Sequence, residues 1–534
     1  MTSTPDVHLP LDLSTNLPDE ILSTIFHHLI ELPPYTAERS LPPILLVCHR
    51  WNAIAISTPD LWTTITITSG SSPRIRDLFP RSKDVDVDVI IGDDLDSDED
   101  ISGVTELIPR HLHRIRNLCL VATPPHLVPR ILDHLITSAP RLELLAILYP
   151  DLLTNAQRSI IPPSFLSEGT PRIKHLLLES FSLPWTSPLF HNLTTLSIVL
   201  ENAKVAPTSD LFLSVLENCP SLEQFLLNGA GPILPLDSQP GTKSPRRVHL
   251  PNLQFLTLHL STLNQTIYTL SHMFAPSTSV TTIIAEAPDG WDVKTHFTSF
   301  INEICVALET SSSQVDWISF SPTDYEETHL YLTIIFLFST DARLDLRITN
   351  ASPTELFKGF TEVQRGVCGL PSRLIVQMSG GKGTLGVEDW RLVLGGWEGL
   401  EMLILLDGDE ECLVTALGTD KNPDDASGEE KEGVICPGLE FLGLNRSRPA
   451  DDPIPILPPT IVSSLVKCLT YRESKGYRLE KLSFQNVCVG KGDQEILEEL
   501  VEGLAMANEL VMTEKTRFGQ YPLVVQEALR SYTR

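Results

Sequence analysis

Residues 209–227 read Ser209-Asp210-Leu211-Phe212-Leu213-Ser214-Val215-Leu216-Glu217-Asn218-Cys219-Pro220-Ser221-Leu222-Glu223-Gln224-Phe225-Leu226-Leu227, and they set the plan for most of the chain. Ser209 and Asp210 open a stretch whose apolar residues return at helical spacing and which ends at Asn218. A turn containing Pro220 follows. Then comes Leu222-x-x-Phe225-x-Leu227, where a period of two sends Phe225 and Leu227 to one side of a strand. The phrase, apolar at its first, fourth and sixth positions, also starts at Ile115, Leu142, Ile173 and Leu193. It continues from Leu253, Val280 and Val315, fades around Leu344 and Leu374, and resumes from Leu400, Leu439 and Leu479.

Between Leu118 and Leu482 the fourth positions are spaced by about thirty residues, a period typical of repeat arrays. One helix–turn–strand unit cannot bury its apolar side alone, whereas units stacked in parallel form a continuous core. The strand Asp84–Ile91, with Val85, Val87 and Val89, is expected to start the stack, and a helix over Gln494–Leu510 to close it. The competing reading is an ordinary doubly wound α/β domain, although so long a single open sheet would exceed common sheet sizes.

Ahead of the array lies a different pattern. Leu17-Pro18-Asp19-Glu20-Ile21 starts a helix: Pro18 loses nothing in the first turn, and Asp19 and Glu20 sit at the positive end of the helix dipole. Leu17, Ile21, Ile25 and Leu29 form one apolar stripe, with Leu22, Phe26 and Ile30 on a second. A proline-rich link over Glu31–Pro43 leads to a second helix carrying Ile44, Leu45, Val47, Cys48, Trp51, Ile54 and Ala55. The segment ends in Ser57-Thr58-Pro59-Asp60-Leu61-Trp62. So much apolar circumference on a short module exceeds what one neighbour can cover, and a plain end cap would need a polar outer face.

These residues resemble the F-box family, in the order LP–EI–IF–L, then VC–RW, then PDLW, in the form abundant in fungi. The resemblance implies a three-helix module that docks on a Skp-type adaptor of a cullin-based SCF ubiquitin ligase. It carries the docking role to Leu17, Pro18, Ile21, Ile25, Leu45, Val47, Cys48 and Trp51. The link between the helices is longer than in the compact family form, at little cost in loop-closure entropy. The array beyond is similar to leucine-rich repeats, with the asparagine that usually follows the LxL phrase mostly missing and intervals varying from 20 to 40 residues.

The expected fold is therefore α/β: a three-helix F-box followed by an irregular leucine-rich-repeat-like solenoid with parallel strands. Its expected limits are a tail at 1–13, the helical module at 14–67 and the solenoid at 68–534, with disordered loops near 93–102, 235–247 and 418–435.

Charge narrows the choice of partners. Forty Lys and Arg stand against 68 Asp and Glu, a net charge of −28, so nucleic acid and anionic membranes are not expected as partners. The nine cysteines lie at least 20 residues apart, without a C-x-x-C pair, and read as free thiols of a cytoplasmic or nuclear protein. No signal peptide is expected at the N-terminus, and the longest near-apolar run, Leu330–Phe338, is too short for a membrane helix.

Signals for chemistry fail on inspection. Gly381-Lys382-Gly383-Thr384-Leu385-Gly386 has the G-x-G-x-x-G form between a strand, Leu374–Met378, and a helix, Val387–Leu394. Glu388 and Asp389, however, fall where a pyrophosphate needs bare N–H groups. Asp94, Asp96 and Asp98 imitate a calcium loop, but Glu99 replaces its glycine and Thr105 its closing glutamate. His111 and His113 lack a third metal ligand nearby.

No catalytic constellation, cofactor or metal is expected. The chain reads as the non-catalytic substrate receptor of a ubiquitin ligase for an unidentified protein, with outward strand residues Thr257, His259, Phe441, Gly443 and Asn445 as candidate selectors. The alternatives are an F-box scaffold outside any ligase and a nucleotide-dependent enzyme built on Gly381–Gly386.

Overall fold

The Pro18 carbonyl accepts the first helical hydrogen bonds, from the N–H groups of Ile21 and Leu22 (3.1 and 3.2 Å). Helix α1 then covers Asp19–Glu31, α2 covers Ala37–Val47 and α3 covers His49–Ser57. This computed structural model describes residues 17–31, 37–68, 72–92, 95, 98–149, 160–200, 206–229, 231–234, 246–276, 278, 280–286, 300–301, 303–304, 306–308, 315–325, 329–338, 343–349, 372–377, 385–395, 397–418, 433–446 and 454–507.

Two sequence expectations need correction in the N-terminal module. The proline-rich link is shorter than read, because α2 already runs from Ala37 through Pro42 and Pro43, with Leu41 and Ile44 holding its inner face in the core. The expected second helix is two helices. Cys48 is fully extended between them (φ −161°, ψ 167°) and its Sγ accepts from the Trp51 N–H, so it caps α3 and does not continue α2.

Leu22, Phe26, Leu41, Ile44, Ile54, Ala55, Leu61 and Trp62 make the core of the module. Trp62, at the end of a 3₁₀ turn over Pro59–Trp62, donates its indole N–H to the Ala55 carbonyl at 2.8 Å. Arg81, from the helix Ser72–Arg81, lies over the Trp62 ring.

The chain divides into two compact units, one up to Ile198 and the other from Val199. In the first, strands β1 (Thr64–Ile67), β2 (Val87–Ile91), β3 (Ile115–Val121), β4 (Leu144–Leu148) and β5 (His175–Glu179) pair in parallel and in chain order. The stack thus starts one strand earlier than read, directly after Trp62. Fourth positions Ile65, Val89, Leu118, Leu145 and Leu176 fall in one register row, and sixth positions Ile67, Ile91, Leu120, Ile147 and Leu178 in another. All ten are buried. The opposite face is apolar and buried too, through Cys119, Val121, Ala146, Leu148 and Leu177. The loop expected near 93–102 stops short, since Asp98 begins a helix running to His111 whose inner residues Ile101, Val104 and Ile108 are buried. Strand β6 (Thr195–Leu200) crosses the boundary between the units.

The second unit contains β7 (Gln224–Gly229), β8 (Val248–His249), β9 (Phe255–Leu260), β10 (Met273–Phe274), β11 (Val280–Glu286), β12 (Val315–Tyr325), β13 (His329–Phe338), β14 (Arg343–Thr349) and β15 (Arg373–Gln377). It ends with β16 (Met402–Leu406), β17 (Phe441–Asn445), β18 (Lys481–Gln485) and β19 (Gly503–Ala507). Short β8 and β10 pair with each other. The others run β7-β9-β11-β14-β13-β12-β15-β16-β17-β18-β19.

The expectation of parallel strands holds except at β13, which is antiparallel to both neighbours. The cause is chain length. Three residues separate β12 from β13 and four separate β13 from β14, whereas a parallel pair needs a crossover of a dozen or more.

The phrase at Val280 is also shifted. Thr281 pairs with Leu256 and Leu344, so Ile283 is a sixth-position residue beside Leu258 and Leu346. A two-residue shift keeps the same face, which is why alternation could not reveal it.

At the C-terminal end the expected helix Gln494–Leu510 is a helix Lys491–Leu500 and then β19. Val501 turns extended (φ −125°, ψ 162°), and Leu504 joins Leu482 in the fourth-position row.

One device recurs at strand exits. The eighth residue of the phrase is left-handed at Ala122 (φ 50°), Ser180 (67°), Gly229 (93°), Asp407 (55°) and Asn486 (55°). Only Gly229 adopts this region without a Cβ penalty.

Candidate docking surface

Helix α1 separates its two apolar stripes cleanly. Leu22 and Phe26 fill the core of the module, and the line Ile21, Ile25 and Leu29 faces outward at 47, 37 and 38% exposure. At the end of α2, Leu46 is 84% and Val47 56% exposed, and Ile56 on α3 is exposed too. Arg50 ties these pieces together. Its guanidinium donates to the Leu17 carbonyl and to the Asp19 carboxylate (2.6 Å), fastening the first turn of α3 to the start of α1. The Val47–Cys48 junction therefore lies beside the Pro18–Ile21 end of the stripe.

Of the eight docking residues read from the sequence, Pro18, Ile21, Ile25, Val47 and Cys48 are open to solvent. Leu17, Leu45 and Trp51 are half-buried and support that surface from beneath by packing on the core. The Trp51 ring meets Phe26 at 5.0 Å, and its Nε1 is buried without a hydrogen-bond partner. Asn52 donates to the Leu45 carbonyl at 3.0 Å and locks the α2–α3 corner. Leu29, Leu46 and Ile56 were missed as members of this surface. Leu29 continues the Ile21–Ile25 line and Leu46 lies within an apolar run, so both were legible, whereas nothing local distinguishes Ile56 from its buried neighbour Ile54.

The proposed selector positions fall into two groups. Thr257 and His259 lie half-buried on the outward face of β9. Burial, and then the charge of Arg347, hold the His259 pKa below its ordinary value. Phe441, Gly443 and Asn445 lie on β17, seven strand spacings away, or about 34 Å at ~4.8 Å each. Phe441 is half-buried beneath Lys481. Gly443 is buried, and a Cβ there would sit 3.1 Å from Ile404. Asn445 is buried with its Oδ1 unpartnered, beside Gln485, whose Nε2 is likewise unpartnered.

The helix after the glycine-rich segment is Val387–Leu394, as read, and Gly386 caps it. The Asp389 carboxylate accepts from the Gly386 N–H at 3.0 Å, so the helix start is already occupied by the chain's own anion. Residues 378–384 lie outside the described residues. His111 stacks on Phe79 at 4.2 Å, and burial, then Arg114, hold its pKa down at about 4. Among the described residues no group of three His, Cys, Asp or Glu side chains is placed to hold a metal, and no helix is long and apolar enough to cross a membrane.

The family model described as F-box-like matches residues 14–68, from the chain before α1 through β1. No curated protein matches the chain. The match spans the three helices, the Trp62 turn and the exposed Ile21–Ile25–Leu29 line, so the chain carries an F-box-like domain at residues 14–68.

Proposed function

We propose that this chain is the substrate-recognition subunit of an SCF-type (Skp–cullin–F-box) ubiquitin ligase, non-catalytic itself and working in the cytoplasm or nucleus. The F-box docks a Skp-type adaptor, and the leucine-rich-repeat-like strands hold a protein substrate. The bond-forming chemistry belongs to other subunits, and this chain contributes effective concentration by holding the substrate near them.

The observation that carries the docking half is the line Ile21, Ile25 and Leu29. It stays exposed although the core of the module is already filled by Leu22, Phe26 and Trp62. A further apolar pair, Leu46 and Val47, is exposed in the same module. Co-purification of the full chain with a Skp-type adaptor and a cullin tests this reading. Wild type should retain both, and Ile21→Asp should lose both. Retention of the adaptor without the cullin would favour a scaffold outside the ligase, and failure of wild type to retain the adaptor would remove the docking claim.

A further inference from the structure

The first turn of α1 carries two of the docking residues, Pro18 and Ile21, and the core gives it little hold. Pro18, Asp19, Glu20 and Ile21 are all exposed, Leu17 is half-buried, and the first fully buried side chain of the helix is Leu22. A helix end frays when neither its side chains nor its free backbone groups are fixed. One turn further along, the Ser23 and Thr58 hydroxyls lie 3.5 Å apart, at the limit of a hydrogen bond.

Arg50 supplies a restraint from α3. Its Nη2 donates to the Leu17 carbonyl and to Asp19 Oδ1 (2.6 Å), and its Nε donates to the same Oδ1 at 3.1 Å. These contacts bracket Pro18 and hold the turn at two points. Asp19 is 64% exposed and Arg50 37%, and an ion pair so open to water adds little to global stability. Its place in the module gives it another use. Arg50 stands three residues after Val47 and two after Cys48, both exposed at the α2–α3 corner. The guanidinium therefore fixes the Pro18–Ile21 turn against the corner that presents Val47 and Cys48.

Building on the docking half of the proposed function, we propose that Arg50 is a positioning residue. Together with Asp19 it sets the placement of the two parts of the docking surface before the Skp-type adaptor arrives. With the tether, the free module already holds the arrangement that docks. Without it only a fraction of the molecules does so at any instant, and the apparent affinity falls by that fraction. The loss falls on association, because only the competent fraction binds. Once docked, the turn is held by the adaptor and dissociates at the same rate. A side chain that acted by touching the adaptor would instead change dissociation.

The test measures association and dissociation rates of the full chain on an immobilised Skp-type adaptor, with thermal unfolding of every variant alongside. Arg50→Gln should bind about threefold to tenfold more weakly, the span of one hydrogen bond or a good exposed ion pair, through slower association at an unchanged dissociation rate. Arg50→Lys, which keeps the charge without the planar fork, should fall between. Asp19→Ala removes the carboxylate from the other side and should show the same kinetic pattern. Because the two residues act as one tether, the double variant should be no weaker than Arg50→Gln alone. Asp19 lies outside the core, so its variant decides the question even where Arg50→Gln melts low. Wild-type affinity in Arg50→Gln and Asp19→Ala, a loss carried by faster dissociation, or losses that add in the double variant would overturn the proposal.

Wild type and Ile21→Asp separate this failure from that of the docking reading. If wild type binds, Ile21→Asp does not and Arg50→Gln binds like wild type, the positioning role falls and the docking surface stands. If wild type does not bind the adaptor, both fall.

Discussion

Replacing Ile21 by aspartate should separate binding from folding, because the side chain is 47% exposed and lies outside the core of the module. Fully burying an isoleucine is worth ~1.5–3 kcal/mol, so covering the exposed half of Ile21 contributes about 1 kcal/mol to docking. Truncation to alanine removes most of that, an affinity loss of about fivefold. Aspartate does more, since its carboxylate must be desolvated against an apolar partner surface at a cost of several kcal/mol, and the loss should exceed about a hundredfold. Exposed substitutions away from special features change stability by roughly ±0.5 kcal/mol, so the melting temperature should hardly move. The assay is titration calorimetry of the purified full chain against a Skp-type adaptor, with thermal unfolding of each variant in parallel. Leu22→Ala is the control one residue along. Leu22 is fully buried, so this change should cost ~2–5 kcal/mol of stability. An Ile21→Asp variant that binds the adaptor like wild type, or that melts as low as Leu22→Ala, would refute the assignment of the outward stripe.

Further outcomes follow from the strand corners and the buried rings. Ala122→Gly and Ser180→Gly should each stabilise the protein by up to about 1 kcal/mol in denaturant unfolding, because both positions are left-handed, and Gly229→Ala should destabilise it by a similar amount or more. Phe26→Ala should cost ~3–5 kcal/mol, read as a lower midpoint in the same unfolding series, since it empties the centre of the module and removes the ring beneath Trp51. His111 is held neutral in the folded state down to about pH 4, whereas in the unfolded chain it takes up a proton near pH 6.5. Its contribution is therefore intact above pH 6.5 and is lost as pH falls from 6.5 towards 4, and His111→Phe should flatten that part of the stability–pH curve.

Much of this architecture is legible because the inward face of each strand recurs in the sequence as the same apolar phrase. Leu118, Leu145 and Leu176 could be aligned by their phrase alone, and hydrogen bonding puts them in one row. What escaped are features that alternation does not encode. The two-residue register shift at Thr281 leaves the apolar face unchanged, and the reversal of β13 is carried by the shortness of its two connections. Cys48 looked like one more apolar helix position, and its role as the break between α2 and α3 rests on backbone angles that no side-chain pattern announces. For the docking surface, the two stripes of α1 were visible, but which faced inward was not. Leu22 and Phe26 are no more hydrophobic than Ile21 and Ile25, and the choice is made by where Trp51 and Trp62 pack.

The outward positions of β14 differ in kind from its inward ones. Inward Leu346 of β14 repeats the chemistry of its row, beside Ile283 and Leu258, and Leu344 lies between buried neighbours Thr281 and, one strand further, Leu256. Those identities are dictated by neighbours, and a change there is opposed by the cavity or overpacking it creates. The outward row Asn228, His259, Ile284 and Arg347 has no common chemistry, because no neighbouring strand requires one. The stack is free to vary on that face at little cost to the core.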